Sequence, residues 1–540
     1  MPTEIYLDTN STTPVLPAAL DAACRVMQQQ FGNPSSSHST GLVAQNLRES
    51  VRCSAAKLVG AGAGKLLFVS GATEGIQTAV LSALCALRQR RDRGNTVGRL
   101  LVYGATEHKA VPESLAYWNR LLGLNLEVRA LPVDAGGRHD LQTLASWADD
   151  IGMLCTMAAN NETGVVSDIA GIERVLQAAG SAALWLVDCV QALGKVALNL
   201  QATRIDYAPF SGHKLYAPKG IGMLYVRAGS PYHPLMVGGG QEAGARSGTE
   251  NMPGIAALGA VFDALERGDT FQSAQVLHTW RDRLVQAIGD AFPGVVFNAP
   301  LDQTLPTTLN FSVPGLSSKL LLDLFDAAGI RISAGSACSA AKAEPSFVLQ
   351  AMGLPEWRTT SAVRLSFGPL ADDDFITRAC ATIGQCGAVL RSSGAAPANS
   401  GALAWPASTA SSTAEAGNEA VRGLDWNELE QVLQSDPQAL LIDVREAYEY
   451  AAAAALCSAG RTAVNLPLTE LQRGVPRWLA EHRHPVVFFC RSGNRSLQAL
   501  LAMQSRGHRL CRHLEGGLAL GAGPAPYTAT SAHPTKDLKS

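Results

Sequence analysis

The stretch Asp206-Tyr-Ala-Pro-Phe-Ser-Gly-His-Lys214 decides the fold, because an apolar run of strand type ends there in a turn that carries a lysine. Similar apolar runs lie on both sides of it and alternate with segments whose apolar residues have helical spacing. This alternation predicts an α/β domain with a mostly parallel sheet and helices on both faces. The other runs are Leu66–Ser70, Leu100–Tyr103, Met153–Met157, Leu184–Val187 and Ile221–Val226.

Polar groups that suit one chemistry follow several of these runs. Asp188 ends the run that starts at Leu184, where a carboxylate meets the ligand crevice at the carboxyl end of a sheet. Gly71-Ala72-Thr73 joins a run to a helical segment, and free N–H groups at a helix N-terminus bind phosphate. Lys214 alone would more often be a surface charge. A lysine for a Schiff base, an aspartate for a pyridinium nitrogen and a phosphate site together predict a pocket for pyridoxal 5'-phosphate.

Length and composition limit the other classes of function. The 540 residues, 47% of them hydrophobic, suffice for two or more cores. A net charge of −2 gives no electrostatic case for nucleic acid or an anionic membrane as a partner. No apolar run approaches the roughly 20 residues of a membrane span, and the first residues lack the layout of a signal peptide. The 11 scattered cysteines contain no Cys-x-x-Cys pair, so we expect no disulfide scaffold, no metal site and a reducing cytoplasm.

A segment rich in Ala, Ser, Gly and Pro divides the chain. Residues 391–421 contain too few large apolar side chains to order themselves, so they are predicted to be a flexible linker. We therefore predict a first domain at 1–390, a second and smaller α/β domain at 422–521, and a disordered tail at 522–540.

The motifs of the first domain are more specific as an ordered series than any one of them alone. They include Asp8-Thr-Asn-Ser-Thr-Thr-Pro14, Ser70-Gly-Ala-Thr-Glu74, Thr106-Glu-His-Lys-Ala110, Val187-Asp-Cys-Val-Gln191, Ser211-Gly-His-Lys214, Arg246-Ser-Gly-Thr249 and Gly335-Ser-Ala-Cys338. Over about residues 4–389 the series resembles the class V aminotransferase-like cysteine desulfurases of iron–sulfur cluster assembly. The resemblance implies a pyridoxal phosphate-dependent transferase of fold type I, with a mostly parallel sheet and large and small subdomains, that forms a homodimer.

The resemblance also implies roles for individual residues. Lys214 would bind the cofactor as a Schiff base, Asp188 would keep its ring nitrogen protonated, and His108 would stack on the ring. The ring substituents and the phosphate would be held by Asn161, Gln191, Ala72, Thr73, Ser211, His213 and, from a second subunit, Thr249. The carboxylate of the substrate, L-cysteine, would be bound by Arg364 with help from Asn33. Taken singly, Thr73 could be only a helix cap and Arg364 an ordinary ion pair.

Cys338 lies in Ile332-Ser-Ala-Gly-Ser-Ala-Cys-Ser-Ala-Ala-Lys342, which is too poor in large apolar residues to be core. A free cysteine is most often a small buried hydrophobe, but this segment resembles the mobile catalytic loop of the family. The resemblance implies that Cys338 takes sulfur from L-cysteine, leaves L-alanine and holds a persulfide, with at most transient contact to an iron–sulfur cluster. A long loop can carry such a group to an acceptor.

Cys490 begins Cys-Arg-Ser-Gly-Asn-Arg-Ser496, between the apolar run Pro485–Phe489 and a helical segment. A helix N-terminus with Arg491 and Arg495 nearby favours a thiolate, so an inert buried thiol is disfavoured. With Asp443-Val-Arg-Glu446, Asn465-Leu-Pro467 and Glu515-Gly-Gly517, the loop resembles a single-domain rhodanese over about residues 422–521. Phosphatases of similar shape have the arginine six positions after the cysteine rather than five. The stretch 455–460 and the lack of a tryptophan after Gly517 depart from the rhodanese pattern.

The leading hypothesis is a pyridoxal phosphate-dependent cysteine desulfurase fused to a sulfurtransferase. Sulfur would pass from Cys338 to Cys490, where Arg491 and Arg495 would stabilise a persulfide, and then to an acceptor protein. A scaffold of iron–sulfur cluster assembly, a tRNA thiolation enzyme and other acceptors stay open. Selenocysteine lyase activity and a C-terminal domain that only docks partners also stay open, whereas the Cys338 loop argues against transamination.

Overall fold

The computed structural model describes residues 4–334, 345–392, 423–453 and 456–521 of the chain. The chain forms two compact units, Met1–Gly387 and Ala388–Ser540. The tail predicted at 522–540 and all but the first two residues of the linker predicted at 391–421 lie outside the described residues, so these borders stay predictions. Within the described ranges, no helix is both long and apolar enough to cross a bilayer.

The first unit alternates short strands with helices. Its strands are β1 Ile5–Tyr6, β2 Lys65–Val69, β3 Leu100–Gly104, β4 Glu127–Leu131, β5 Ile151–Met157, β6 Leu184–Asp188, β7 Tyr207–Ser211, β8 Gly222–Val226, β9 Val296–Phe297, β10 Thr308–Ser312, β11 Ile330–Arg331 and β12 Val363–Ser366. Its helices are α1 Pro17–Gln29, α2 Ser39–Val59, α3 Ala72–Asp92, α4 Ala110–Leu121, α5 Leu141–Trp147, α6 Ile169–Ala178, α7 Met252–Arg267, α8 Ala274–Ala291, α9 Ser318–Ala327, α10 Phe347–Ala351, α11 Glu356–Ser361 and α12 Asp373–Ser392.

A seven-stranded sheet in the order β2-β8-β7-β6-β5-β3-β4 forms the centre of this unit. The pairs from β7 to β4 are parallel, whereas β8 is antiparallel to both of its neighbours. The connection from β7 to β8 contains no crossover helix, and only an antiparallel pair can be joined in that way. Helices cover both faces, so β5, β6 and β7 are buried along their whole length. The predicted mostly parallel sheet is confirmed.

Two smaller sheets connect the start of the chain to the later part of the first unit. The strands β12, β10 and β9 form an antiparallel sheet, and β1 pairs in parallel with β11. Beyond β1, Asp8 forms a bridge with Ser366 at the end of β12. The segment that follows β1 therefore lies next to the β12 sheet.

The carboxyl ends of β2, β6 and β7 lie at one edge of the large sheet. β6 is parallel to β7, and β2 also runs with β7 because β8 is antiparallel to both. Ser70, Asp188 and Ser211 stand at these ends. In open α/β sheets this edge is where ligands bind.

The second unit contains a parallel four-stranded sheet in the order β16-β13-β17-β18 and a short β14-β15 pair. Its strands are β13 Leu440–Asp443, β14 Cys457–Ser458, β15 Arg461–Thr462, β16 Val464–Asn465, β17 Val486–Phe489 and β18 Cys511–His513. Its helices are α13 Trp426–Ser435, α14 Ala447–Ala452, α15 Leu468–Arg473, α16 Arg477–Ala480, α17 Asn494–Gln504 and α18 Gly517–Gly521. Cys490 directly follows β17, as predicted.

The buried carboxylate of Asp206 joins three neighbouring segments of the first unit and offers a test of this architecture. It accepts from the backbone N–H of Trp185 at 2.8 Å, from the hydroxyl of Ser230 at 2.6 Å and from the guanidinium of Arg227. We expect Asp206→Ala to lower the free energy of unfolding of this unit by roughly 2–4 kcal/mol, because these donors lose a buried acceptor. Calorimetry of the full chain would show an earlier transition. Asp263→Ala removes an exposed carboxylate and should leave the transition in place; an unchanged Asp206→Ala transition would contradict the expectation.

Candidate active site

A cavity of about 580 Å³ lies at the carboxyl edge of the large sheet. It collects most of the residues predicted for the cofactor and the substrate: Ala72, Thr73, His108, Asn161, Asp188, Gln191, Ser211, His213, Lys214 and Arg364. Asn33 and Thr249 do not line it. Both are exposed, and the side chain of Asn33 accepts from the backbone N–H of Ser35 at 2.9 Å. The structure thus brings together ten of the predicted residues within one chain and leaves two outside.

One end of the cavity presents the start of α3. The N-cap position, Gly71, provides no side chain, so first-turn N–H groups of α3 have no capping side chain. The hydroxyl of Thr73 is exposed beside them. The glycine at 222 allows β8 to approach this turn, since a Cβ there would lie 2.8 Å from the Cα of Gly71. Unpaired N–H groups, a hydroxyl and the helix dipole make this end suitable for a phosphate.

His213 and Ser211 complete the same end from β7 and the turn after it. Ser211 is buried, and Nδ1 of His213 lies 3.1 Å from the hydroxyl of Thr12. Burial and the charge of Lys214 lower the pKa of His213 to about 4. The imidazole is therefore neutral at pH 7 and can donate one hydrogen bond without adding a charge.

Asp188 lies at the end of β6 and is buried. Its carboxylate accepts from the backbone N–H of Val190 at 2.9 Å. Burial raises the pKa of Asp188 to about 6. A carboxyl group in this state gains most from a cationic ligand group, such as the protonated nitrogen of a heterocycle.

Lys214 is held by the segment that follows β1. Its Nζ donates to the backbone carbonyls of Asn10 at 2.7 Å and Ser11 at 2.6 Å. The same carbonyl of Asn10 accepts from Nε2 of Gln191 at 3.1 Å. Asn10 was given no role from the sequence, although it lies in the motif Asp8–Pro14. This motif was the only hint in the sequence that Asn10 has a role. The contact of Asn10 with Lys214 depends on the path of the backbone, which the motif does not show.

Arg364 lies on β12, lines the cavity and is 2% exposed. Its guanidinium donates to Asp8 at 2.6 Å, to the hydroxyl of Ser11 at 2.7 Å and to the carbonyl of Asn161 at 2.8 Å. These partners fix the plane of the guanidinium. A fixed guanidinium at the wall of a cavity can bind a carboxylate in a defined orientation.

The sequence alone did not identify three ionisable groups near the cavity. Burial, together with the charges of Lys214 and Arg364, lowers the pKa of Lys195 to about 7. Burial and the charge of Asp188 raise the pKa of Glu107 well above its usual value. Glu162 is also buried and accepts from the hydroxyl of Ser346 at 2.6 Å. Glu107 lies in the motif Thr106–Ala110, but no sequence signal shows that these groups are shielded from solvent, because that depends on tertiary packing.

His108 lies on the loop before α4, and its Nδ1 accepts from the backbone N–H of Ala110 at 3.2 Å. Desolvation and the charges of Lys214 and Lys109 lower the pKa of its imidazole. Cys338 lies outside the described residues. On one side of that stretch, Ser333 exchanges backbone hydrogen bonds with Arg364; on the other, Phe347 lines the cavity.

The second unit holds Cys490 in a different environment from the one we expected. The side chain is 1% exposed and packs in an apolar cluster with Phe488 and Leu500. The loop is closed by α18, since the carbonyl of Cys490 accepts from the N–H of Leu518 at 2.9 Å. The sequence disfavoured a thiol that is both buried and inert; the side chain is buried, and its reactivity stays a prediction. Its sulfur lies 3.8 Å from the hydroxyl of Ser496.

The two arginines of this loop are partly buried, and Arg495 has a fixed partner. Its guanidinium binds both carboxylate oxygens of Glu449, one of them at 2.7 Å, and Glu449 is 1% exposed. Helix α17 begins at Asn494, after Gly493 in a left-handed conformation with φ 86°. The helix N-terminus predicted beside Cys490 is present, but part of the expected positive charge is compensated.

Comparison with known proteins covers both units. The family described as Aminotransferase class-V matches residues 5–378, and the Rhodanese-like domain family matches residues 425–520. A cysteine desulfurase of Cereibacter sphaeroides is 38% identical over 67% of this chain and 90% of its own length. The cysteine desulfurase NifS of Azotobacter vinelandii is 37% identical over 69% of this chain and 90% of its own length.

Solved structures give the same result. A structure titled NifS-like protein has a TM-score of 0.64 and 30% identity, and the match covers 71% of this chain and 99% of that one. A structure of SspA in complex with cysteine has a TM-score of 0.58 and 28% identity over 68% of this chain and 100% of that one. The chain therefore belongs to the class-V aminotransferase family, among its pyridoxal phosphate-dependent cysteine desulfurases, and carries a C-terminal rhodanese-like domain.

Proposed function

We propose that the protein converts L-cysteine to L-alanine, stores the sulfur as a persulfide on Cys338 and passes it through Cys490 to an acceptor. The observation that carries the first step is the cavity that joins Lys214, Asp188 and Arg364. An amine, a buried carboxyl and an oriented guanidinium suit an amino acid bound next to pyridoxal phosphate.

The residues of the cavity fit the cofactor by position and charge. The start of α3, with Ala72 and Thr73, would bind the phosphate together with Ser211 and His213. Asp188 would pair with the protonated ring nitrogen, and His108 would lie against the ring. Asn161 and Gln191 would bind the ring substituents. A neutral His213 suits this task because it donates a hydrogen bond without competing for the proton of Lys214.

Bound pyridoxal phosphate supplies an electron sink for the substrate carbon. Arg364 binds the substrate carboxylate and orients the amino acid. Lys214 moves protons at the substrate carbons. The thiolate of Cys338 attacks the substrate sulfur, the carbon–sulfur bond breaks, and the carbon takes a proton, so that one cysteine becomes one alanine and one persulfide. The described residues on both sides of 335–344, Ser333 and Phe347, lie beside the cavity and favour this assignment.

Transfer to Cys490 is the next step of the proposal. The thiolate of Cys490 attacks the outer sulfur of the persulfide, and the thiolate of Cys338 leaves. The loop after β17 would hold the new persulfide through its backbone N–H groups, with Arg491 and Arg495 nearby. Because Cys490 is 1% exposed, the loop must open for the sulfur to enter. We name as acceptor a scaffold protein of iron–sulfur cluster assembly or a thiolation enzyme.

We further propose that the active unit is a homodimer. Three ion pairs fix the segment that carries Thr249: Arg52 with Glu242, Arg48 with Glu250, and Arg246 with Glu74. Thr249 is exposed in this fixed segment and does not line the cavity of its own chain. A second copy could place it at the phosphate end, as the family resemblance implies.

A reducing compartment such as the cytoplasm suits this chemistry, because a persulfide relay needs thiols that are not locked in disulfides. Every cysteine among the described residues is free.

The buried carboxyl of Asp188 should make the stability of the cofactor-free protein depend on pH. Its pKa is raised to about 6, so the stability it contributes is present at low pH and is lost as the pH rises through 6. We expect the free energy of unfolding of cofactor-free Asp188→Asn to exceed that of cofactor-free wild type by roughly 1–3 kcal/mol at pH 8. The difference between the two proteins should shrink towards pH 5. Thermal melts at both pH values measure this, with the exposed Asp290→Asn as the control. A variant less stable than wild type at both pH values would contradict the assignment.

The relay predicts a defined order of sulfur labelling. After addition of L-cysteine, mass spectrometry should find persulfide first on Cys338 and then on Cys490. Cys338→Ser should abolish both labels, whereas Cys490→Ser should keep the label on Cys338 and the first turnover that releases alanine. The exposed Cys53→Ser is the control. If Cys338→Ser still labels Cys490, the relay is wrong; if only deletion of 422–521 impairs delivery, the second domain docks partners.

The shared site predicts complementation between two defective chains. Lys214→Ala should be inactive alone, and Thr249→Ala should lose cofactor and most activity. In a mixed dimer, the chain with Lys214 receives an intact Thr249 from its partner, so activity should return in up to one site per dimer. Alanine release after co-refolding of the two variants measures this. Recovery no greater than the sum of the separate variants, or a monomer in sedimentation, would count against the shared site.

A further inference from the structure

Lys195 is a second amine next to the cavity, and the mechanism above gives it no task. It lies on the turn after β6, four residues beyond Gln191, and is partly accessible to solvent. Its Nζ lies 2.7 Å from Oε1 of Gln191 and 3.3 Å from Oδ1 of Asn10. Both partners line the cavity.

The chemistry of an ammonium group fixes the orientation of both amides. A lysine ammonium has three donors and no acceptor, so the amide atoms that face it must be oxygens. The nitrogen of Gln191 then donates to the backbone carbonyl of Asn10 at 3.1 Å. The nitrogen of Asn10 donates to the hydroxyl of Thr308 at 2.8 Å and to the carbonyl of Asn161 at 3.3 Å.

The same network reaches the reactive lysine. The carbonyl of Asn10 that accepts from Gln191 also accepts from Nζ of Lys214 at 2.7 Å. The charged groups that face Lys195 are Lys214 and Arg364, and Arg364 is paired with Asp8. A positive charge at Lys195 therefore disfavours a proton on Lys214, since like charges at short range repel.

We propose that Lys195 is a positioning residue, which fixes the donor pattern of Gln191 and Asn10 and places a positive charge beside Lys214. Burial and the charges of Lys214 and Arg364 lower the pKa of Lys195 to about 7, so the amine carries its positive charge below about pH 7 and loses it above. The inference rests on the proposed cofactor site.

The visible absorbance of the holoenzyme tests this role, because the band reports whether the nitrogen that joins Lys214 to the cofactor carries a proton. In a pH titration of this band, Lys195→Met should raise the midpoint pH of the absorbance change by about half a unit or more, since a nearby like charge is removed. Lys195→Gln should give a similar shift but retain cofactor better on dialysis, because its amide still donates to Gln191. Lys65→Met removes a charge roughly 16 Å along β2 from Ser70 and should leave the transition in place.

The outcomes separate this inference from the proposed function. A transition that coincides with wild type in both Lys195 variants, or that moves downward, would overturn the role of Lys195. If Lys195→Met does not fold, Lys195→Gln alone decides. A wild-type protein that binds no cofactor and shows no such band would instead overturn the cofactor site itself. A purely structural role would lower the melting temperature without moving the titration.

Discussion

The backbone carbonyl of Asn10 is the contact on which the cavity of the first unit depends. It accepts from both Lys214 and Gln191, which lie 204 and 181 residues further along the chain. Asn10 reaches this place because β1 pairs with β11 and Asp8 bridges to Ser366. The acceptor is part of the backbone, so the arrangement depends on the path of the chain more than on a side chain. Formation of the cavity is therefore tied to docking of the first dozen residues.

Sequence reasoning succeeded where local structure determines position. Asp188, Ser211 and Lys214 stand at or just after strand ends, and such ends meet at one edge of a sheet. Thr73 was found because a strand that runs into a helix leaves N–H groups free. Asn10 and Lys195 were missed because contacts between residues that are distant in sequence bring them to the cavity. The contact of Lys195 with Asn10 spans 185 residues, and no local pattern contains it.

The second unit shows the converse limit. The pattern Cys-Arg-Ser-Gly-Asn-Arg-Ser correctly indicates a loop between a strand and a helix, but it does not show the partners of its charges. Glu449, 46 residues before Arg495, binds that arginine and is itself buried. Side chains of β17 also pack in the same apolar cluster as Cys490. Burial of the thiol and pairing of the arginine are both tertiary effects, which explains why the loop looked more open and more positive in sequence than it is.

Three ionisable groups near the cavity of the first unit are balanced differently from the buried ion pairs of the second unit. In the second unit, Arg445 pairs with Asp443 and Arg495 with Glu449, so buried charges meet opposite charges within the protein. In the first unit, burial displaces the pKa values of Asp188, Glu107 and Lys195 towards their neutral forms. Such groups cost stability unless a ligand supplies the complementary charge. A ligand with a protonated ring nitrogen and an anionic phosphate supplies both signs, so cofactor binding and the stability of the first unit must be linked. In the second unit, the pairs Arg445–Asp443 and Arg495–Glu449 need no such charge from a ligand.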